Sequence, residues 1–206
     1  MLKTQQQIDY LNFEVNVMRY LECEYLLTVI NIIKREFEII LVLPFMEAGD
    51  LDHQMKQKRL QDSSYLLDEN IVRFFATQIL QGLLYLHKEN LVHRDIKPLN
   101  IMMNKLCNLK IGDFGLCSKI EDGELLKTGC GTLPYMAPEI FTGKGYNKSV
   151  DVYAFGVVLY EMVCQERPYK PLNNRKMNFA KEFKFPERAV NKYSPALFDL
   201  ITKILN

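Results

Sequence analysis

The sequence predicts an α+β fold in which a small, strand-bearing lobe precedes a larger and mainly helical one. Three observations carry that order. Residues 26–33 and 37–43 are rich in Ile, Val and Leu and flank the charged Lys34-Arg35-Glu36, which is a hairpin signal. Residues 68–88 repeat apolar side chains at helical spacing, and residues 149–164 are apolar nearly throughout, as a deeply buried helix is. At 206 residues with 48% hydrophobic and 25% charged content, the chain has material for a substantial core in one domain, or one domain plus part of another.

The elements follow in order. From Ile8 to Leu21, the positions Leu11, Val15, Met18 and Leu21 recur at helical spacing with Glu14 beside them, so an amphipathic helix comes first. The hairpin is next. Asp68-Glu69-Asn70-Ile71 opens a long helix, with Asp68 as its cap and Ile71, Phe74, Phe75, Ile79, Leu83 and Leu86 as its buried face, running to about Lys88. Ile101-Met102-Met103 and Leu109-Lys110-Ile111 read as two short strands around a polar turn. Ser149 to Cys164 is the buried helix, and Ser194-Pro195 begins a final one toward Ile204.

Composition narrows the function classes. A net charge of +1 gives no field that would gather nucleic acid or an acidic membrane, so neither is expected as a partner. The five cysteines, Cys23, Cys107, Cys117, Cys130 and Cys164, are scattered, odd in number and lack Cys-x-x-Cys spacing, which argues against a disulfide framework and a zinc site. The apolar run from Glu38 to Met46 is too short to span a bilayer, and the first residues carry no signal-peptide hydrophobic region. The expected compartment is the cytoplasm or the nucleus. Nothing in the sequence specifies an oligomeric state.

The chemistry is concentrated in His93-Arg94-Asp95-Ile96-Lys97-Pro98-Leu99-Asn100 and, shortly after, Asp113-Phe114-Gly115. Phosphoryl transfer needs an aligned hydroxyl and screening of phosphate charge more than covalent help. Asp95 can orient a hydroxyl and accept its proton. Asn100 and Asp113 supply the hard oxygen atoms that magnesium prefers, and the hairpin between them would bring the two together.

These residues resemble the catalytic loop and metal-binding motif of the eukaryotic protein kinases, serine/threonine type. The likeness continues in order. Gly131-Thr132-Leu133-Pro134-Tyr135-Met136-Ala137-Pro138-Glu139 resembles the segment that holds the substrate strand, and Asp151-Val152-Tyr153-Ala154-Phe155-Gly156 resembles the start of the central helix of the large lobe.

The resemblance implies a two-lobe kinase-like fold, ATP and Mg2+ as cofactors, and a protein as substrate. It makes Asp95, Lys97, Asn100 and Asp113 catalytic, with Asn100 and Asp113 on the metal and Lys97 on the γ-phosphate. It places ATP against Leu43, Pro44, Met46, Asp50 and Met102: Leu43 at the back of the pocket, Pro44 and Met46 offering backbone groups to adenine, Asp50 near the ribose and Met102 beneath the purine. Glu14 takes the place of the ion-pairing glutamate of the regulatory helix, Phe114 stacks on His93 and Met18, and Thr132 bridges Asp95 and Lys97 through its hydroxyl. Arg94 would pair with a phosphate on Thr128, and Asp151 would hold the catalytic loop from below.

The sequence departs from the family at both ends. No glycine-rich loop or strand lysine is found; Gly49 is the first glycine, and Lys3 lies only eleven positions before Glu14, too close for a lysine on a preceding strand. The arginine that would pair with Glu139 is expected just beyond Asn206. The expectation is a partial kinase domain over residues 1–206, with 1–46 a remnant of the incomplete small lobe and the start of the hinge, and 47–206 the large lobe. Two functions follow: a protein serine/threonine kinase or a fragment of one, or a catalytically incompetent kinase-fold binding module.

Overall fold

Helix α1 spans Gln5–Tyr20 and turns Val15, Val17 and Met18 into the core. The computed structural model to which it belongs describes residues 5–35, 38–121, 123–173, 176–179 and 182–206; Lys3 and the Glu36-Phe37 step lie outside them. Strands β1 (Asn31–Lys34) and β2 (Ile39–Val42) form the expected antiparallel hairpin, with Asn31 opposite Val42 and Lys34 opposite Ile39.

The first strand is shorter than its composition suggests. Leu26 is fully buried and bridges Ile111, while Leu27 donates to the Ile111 carbonyl (2.8 Å) and Ile111 donates to that of Tyr25 (2.8 Å). The apolar stretch before β1 therefore spends its backbone groups on the large lobe instead of lengthening the hairpin.

Helix α2 (Leu51–Gln61) has no counterpart in the sequence expectation. Only Leu51, Asp52 and Met55 are buried, so it lacks the apolar stripe that betrays a helix. What starts it is Asp50, whose carboxylate accepts from the His53 N–H at 2.7 Å. Helix α3 (Glu69–Lys88) begins as expected with Asp68 accepting from the Asn70 N–H at 2.8 Å.

The buried face of α3 runs through Val72, Phe75, Gln78, Ile79, Gly82, Leu83 and Leu86. Ile71 and Phe74, expected inside, are 41% and 47% exposed. The helix is rotated so that Gly82 meets the large-lobe hairpin, where an added Cβ would sit 2.9 Å from Ile111 Cδ1. Gln78 also faces inward: its carboxamide accepts from the Leu109 N–H (2.8 Å) and donates to the Cys107 carbonyl (3.3 Å).

Strands β3 (Leu91–Val92) and β6 (Ser118–Lys119) pair with each other, flanking the hairpin of β4 (Ile101–Met103) and β5 (Leu109–Ile111) in the chain. In that hairpin Ile101 faces Ile111 and Met103 faces Leu109, as the sequence predicts. Helix α4 (Ser149–Cys164) is buried on nearly every face, and its C-terminal carbonyls receive Arg59 (to Gln165, 3.0 Å) and Arg188 (to Cys164, 2.8 Å).

Strands β7 (Pro171–Asn173) and β8 (Lys176–Met177) and the single turn α5 (Glu187–Val190) lead to α6 (Pro195–Leu205). Helix α6 crosses α4 at Gly156, against which Ile204 Cγ2 lies so close that no Cβ fits. Among the described residues there are six α-helices and four two-stranded antiparallel sheets, the α+β arrangement of a small lobe before a helical one.

Candidate active site

The loop after β3 is fixed from beneath by Asp151, 1% exposed at the start of α4. Its carboxylate accepts the N–H groups of His93 (2.8 Å) and Arg94 (2.8 Å) and lies 2.9 Å from the His87 ring. These donors satisfy the buried carboxylate and fix the backbone of the loop. His87, in the last turn of α3, drew no attention in the sequence. Its one signal is its place at the end of a helix six residues before His93.

Arg94 adopts the left-handed region at φ 67°, which costs a non-glycine residue and turns its N–H and side chain apart. The His93 ring is fully buried, accepts the Asp95 N–H at Nδ1 (3.2 Å) and meets the Gly112 carbonyl with Nε2 (3.0 Å), so that its proton sits on Nε2. Phe114 packs on it with ring centroids 5.5 Å apart and shares one core with Met18. The two sequence motifs are thereby joined through the His93 ring.

Asp95 is the centre of the site. One carboxylate oxygen accepts from Lys97 Nζ (2.6 Å) and Asn100 Nδ2 (3.1 Å), and the other from the Thr132 N–H (2.8 Å) and hydroxyl (2.7 Å). Lys97 also donates to the Thr132 hydroxyl at 2.8 Å. Burial alone would raise the Asp95 pKa, yet the hydrogen bonds from Lys97 and Thr132 outweigh it and hold the carboxyl below its ordinary value. Gly131, at φ 111°, permits this: a Cβ there would strike the Arg94 carbonyl.

Asn100 is tied to the same loop by its carboxamide nitrogen, which donates to the Asp95 carbonyl at 2.9 Å. The backbone carbonyl of Asn100 accepts the Gly112 N–H (2.8 Å), so the β4–β5 hairpin brings the Asn100 backbone next to the residue before Asp113. Asp113 is exposed and lies at φ 61°. Glu14 reaches the same corner, where its carboxylate borders Gly115, and its pKa is raised by partial burial first and by Asp113 second.

Among the described residues no three His, Cys, Asp or Glu converge into a metal cage. One carboxylate and one carboxamide oxygen suit magnesium, which takes few protein ligands and fills its octahedron with phosphate and water.

The segment between the lobes runs beside β4. Ala48 donates to the Met103 carbonyl (3.1 Å), Met103 to that of Gly49 (2.8 Å), and Asp50 bridges Met102. Leu43, Pro44, Met46, Asp50 and Met102 are all partly buried along this seam. The Met46 carbonyl already accepts the Gly49 N–H at 3.0 Å, and one oxygen of Asp50 is engaged in capping α2.

Arg94 does not point freely at Thr128. Its Nε donates to the Leu116 carbonyl (2.6 Å) and its Nη1 approaches the hydroxyl of Tyr146 (3.4 Å), which in turn donates to the Thr128 carbonyl (2.5 Å). The side chain of Thr128 is exposed. Tyr146 had no motif or periodicity to mark it in the sequence.

A family model described as the protein kinase domain matches residues 2–206. The SNF1-related protein kinase catalytic subunit alpha KIN12 of Arabidopsis thaliana is 35% identical over 78% of this chain and 31% of its own length. The carbon catabolite-derepressing protein kinase of Saccharomyces cerevisiae is 34% identical over 76% and 24%. A putative serine/threonine-protein kinase A of Trypanosoma brucei brucei is 34% identical over 77% and 35%. The chain thus spans about a third or less of these curated relatives. With the family model matching nearly from end to end, the chain belongs to the eukaryotic protein kinase family.

Proposed function

We propose that this chain carries the catalytic centre of a protein serine/threonine kinase, transferring the γ-phosphoryl group of ATP to Ser or Thr hydroxyls of proteins. The observation that carries the reading is the Asp95–Lys97–Thr132 triangle: an ionised carboxylate, an ammonium 2.6 Å away and a hydroxyl that touches both. Such a trio has no packing purpose that apolar residues would not serve better.

In this reading Asp95 orients the attacking hydroxyl and takes its proton. Its depressed pKa makes it a weak base, which suits a loose transition state where alignment matters more than early proton removal. Lys97 faces the γ-phosphate, and Thr132 keeps lysine and aspartate in register. Asn100 and Asp113 would hold magnesium, which when bound screens the charge of the transferring phosphoryl group. Leu43, Pro44, Met46 and Met102 would frame the adenine, with Asp50 beside the ribose. Residues 1–46 would then be the small-lobe portion and start of the hinge, and 47–206 the large lobe. The five free cysteines favour the cytoplasm or nucleus as the compartment.

The test is magnesium-dependent transfer of labelled phosphate from ATP to a generic protein substrate, with Asp113→Ala as control. Transfer lost in that variant is the expected result. No transfer by the parent, with nucleotide still bound, would leave only a binding module.

A further inference from the structure

Tyr146 holds residues 126–128 with more contacts than a core tyrosine needs. Its backbone N–H and carbonyl both pair with Leu126, at 2.9 Å each, and its hydroxyl donates to the Thr128 carbonyl at 2.5 Å. The same oxygen receives Arg94 Nη1 at 3.4 Å. Tyr146 is 3% exposed and sits five residues before Asp151, the carboxylate that fixes the backbone of Arg94. Burial pushes its phenol above the ordinary tyrosine value despite Arg94, so the hydroxyl keeps the proton that it donates.

We propose that Tyr146 is a positioning residue, a phosphate-independent latch whose hydroxyl fixes residues 126–132 against Arg94 while Thr128 is unmodified. It acts at two points of one segment. Leu126 and Thr128 are held by Tyr146, and Thr132, four residues on, is held by Asp95. With both ends pinned, Gly131 stays pressed on the Arg94 carbonyl and Thr132 stays on the catalytic aspartate. Arg94 keeps spare N–H groups, since a guanidinium has five and, among the described residues, Nε and one Nη1 proton are the ones engaged. A phosphate on Thr128 would therefore add to the latch instead of replacing it. The catalytic part of this proposal rests on the kinase reading above; the mechanical part does not.

Tyr146→Phe removes the hydroxyl and keeps the ring. Amide hydrogen exchange of the nucleotide-free protein should then speed up about fivefold across residues 124–131, the loss of one hydrogen bond of ordinary net worth, with α3 and α4 unchanged. In the transfer assay the KM for a protein substrate should rise by a similar factor while kcat with saturating substrate holds. Unchanged exchange in residues 124–131 would overturn the latch. A rise spread equally over α4 would overturn it too, because it would make Tyr146 a packing residue only. If neither protein transfers phosphate, the kinase reading fails, and exchange alone still decides the latch.

Discussion

Among the described residues the Asp95 carboxylate accepts four hydrogen bonds, and two of them come from one residue, Thr132. Thr132→Ala keeps the backbone donor but deletes the hydroxyl that also receives Lys97, freeing the ammonium to swing. Phosphate transfer to a protein substrate should fall by about 10- to 100-fold with the melting temperature nearly unchanged, and Thr132→Ser should recover most of it; steady-state kinetics of the three proteins decide. The carboxyl of Asp95 also links folding to pH. Its folded pKa lies below the unfolded one, so folding favours the ionised form and the added stability is complete above the ordinary aspartate value of about 4. That stability is lost as the pH falls through the depressed folded value. Lys97→Met removes the donor with the largest lowering effect, so the acid limb of its melting curve should move to higher pH than the parent's. Equal acid limbs in the two proteins would show that Asp95 is not set by Lys97.

Among the elements, the α4–α6 crossing is the most exacting, since Ile204 lies against the bare backbone of Gly156. Gly156→Ala should cost about 1–3 kcal/mol in denaturant unfolding despite the better helix propensity of alanine, because the two helices must part. Helices α3, α4 and α6 were legible in the sequence because their apolar spacing or density, the Asp68 cap and Ser194-Pro195 all signal helix locally. Helix α2 was not, because its exposed faces are lysine, glutamine and arginine and its start depends on one cap. The rotation of α3 was hidden for a different reason. Ile71 and Phe74 obey the same period as the buried residues, and only the partner surface, where Gly82 admits Ile111, chooses between the two faces. The candidate site divides likewise: Asp95, Lys97, Asn100, Asp113 and Thr132 stand in spaced motifs, whereas His87 and Tyr146 act through contacts 64 and 52 residues away in the chain.

At the scale of the whole molecule, the proposed nucleotide site lies between the stretch 46–50 beside β4 and the corner where Glu14 neighbours Asp113. A nucleotide lodged there would bind only the folded protein and so stabilise it. A non-hydrolysable ATP analogue with magnesium, at a hundredfold its Kd, should add about 2–3 kcal/mol, seen as a rise in melting temperature. Asp113→Ala should abolish the magnesium-dependent part of that rise, and a full rise in the variant would remove Asp113 from the metal. How steadily the β4–β5 hairpin between Asn100 and Asp113 is held depends on Gln78, the polar residue on the inner face of α3 that meets Leu109 and Cys107. A helix side chain there plays the part of a third strand, riveting the turn of the hairpin to α3, the longest helix among the described residues. Exchanging it for leucine would please any count of apolar periodicity, yet would strand the buried Leu109 amide and loosen the hairpin that joins Asn100 to Asp113.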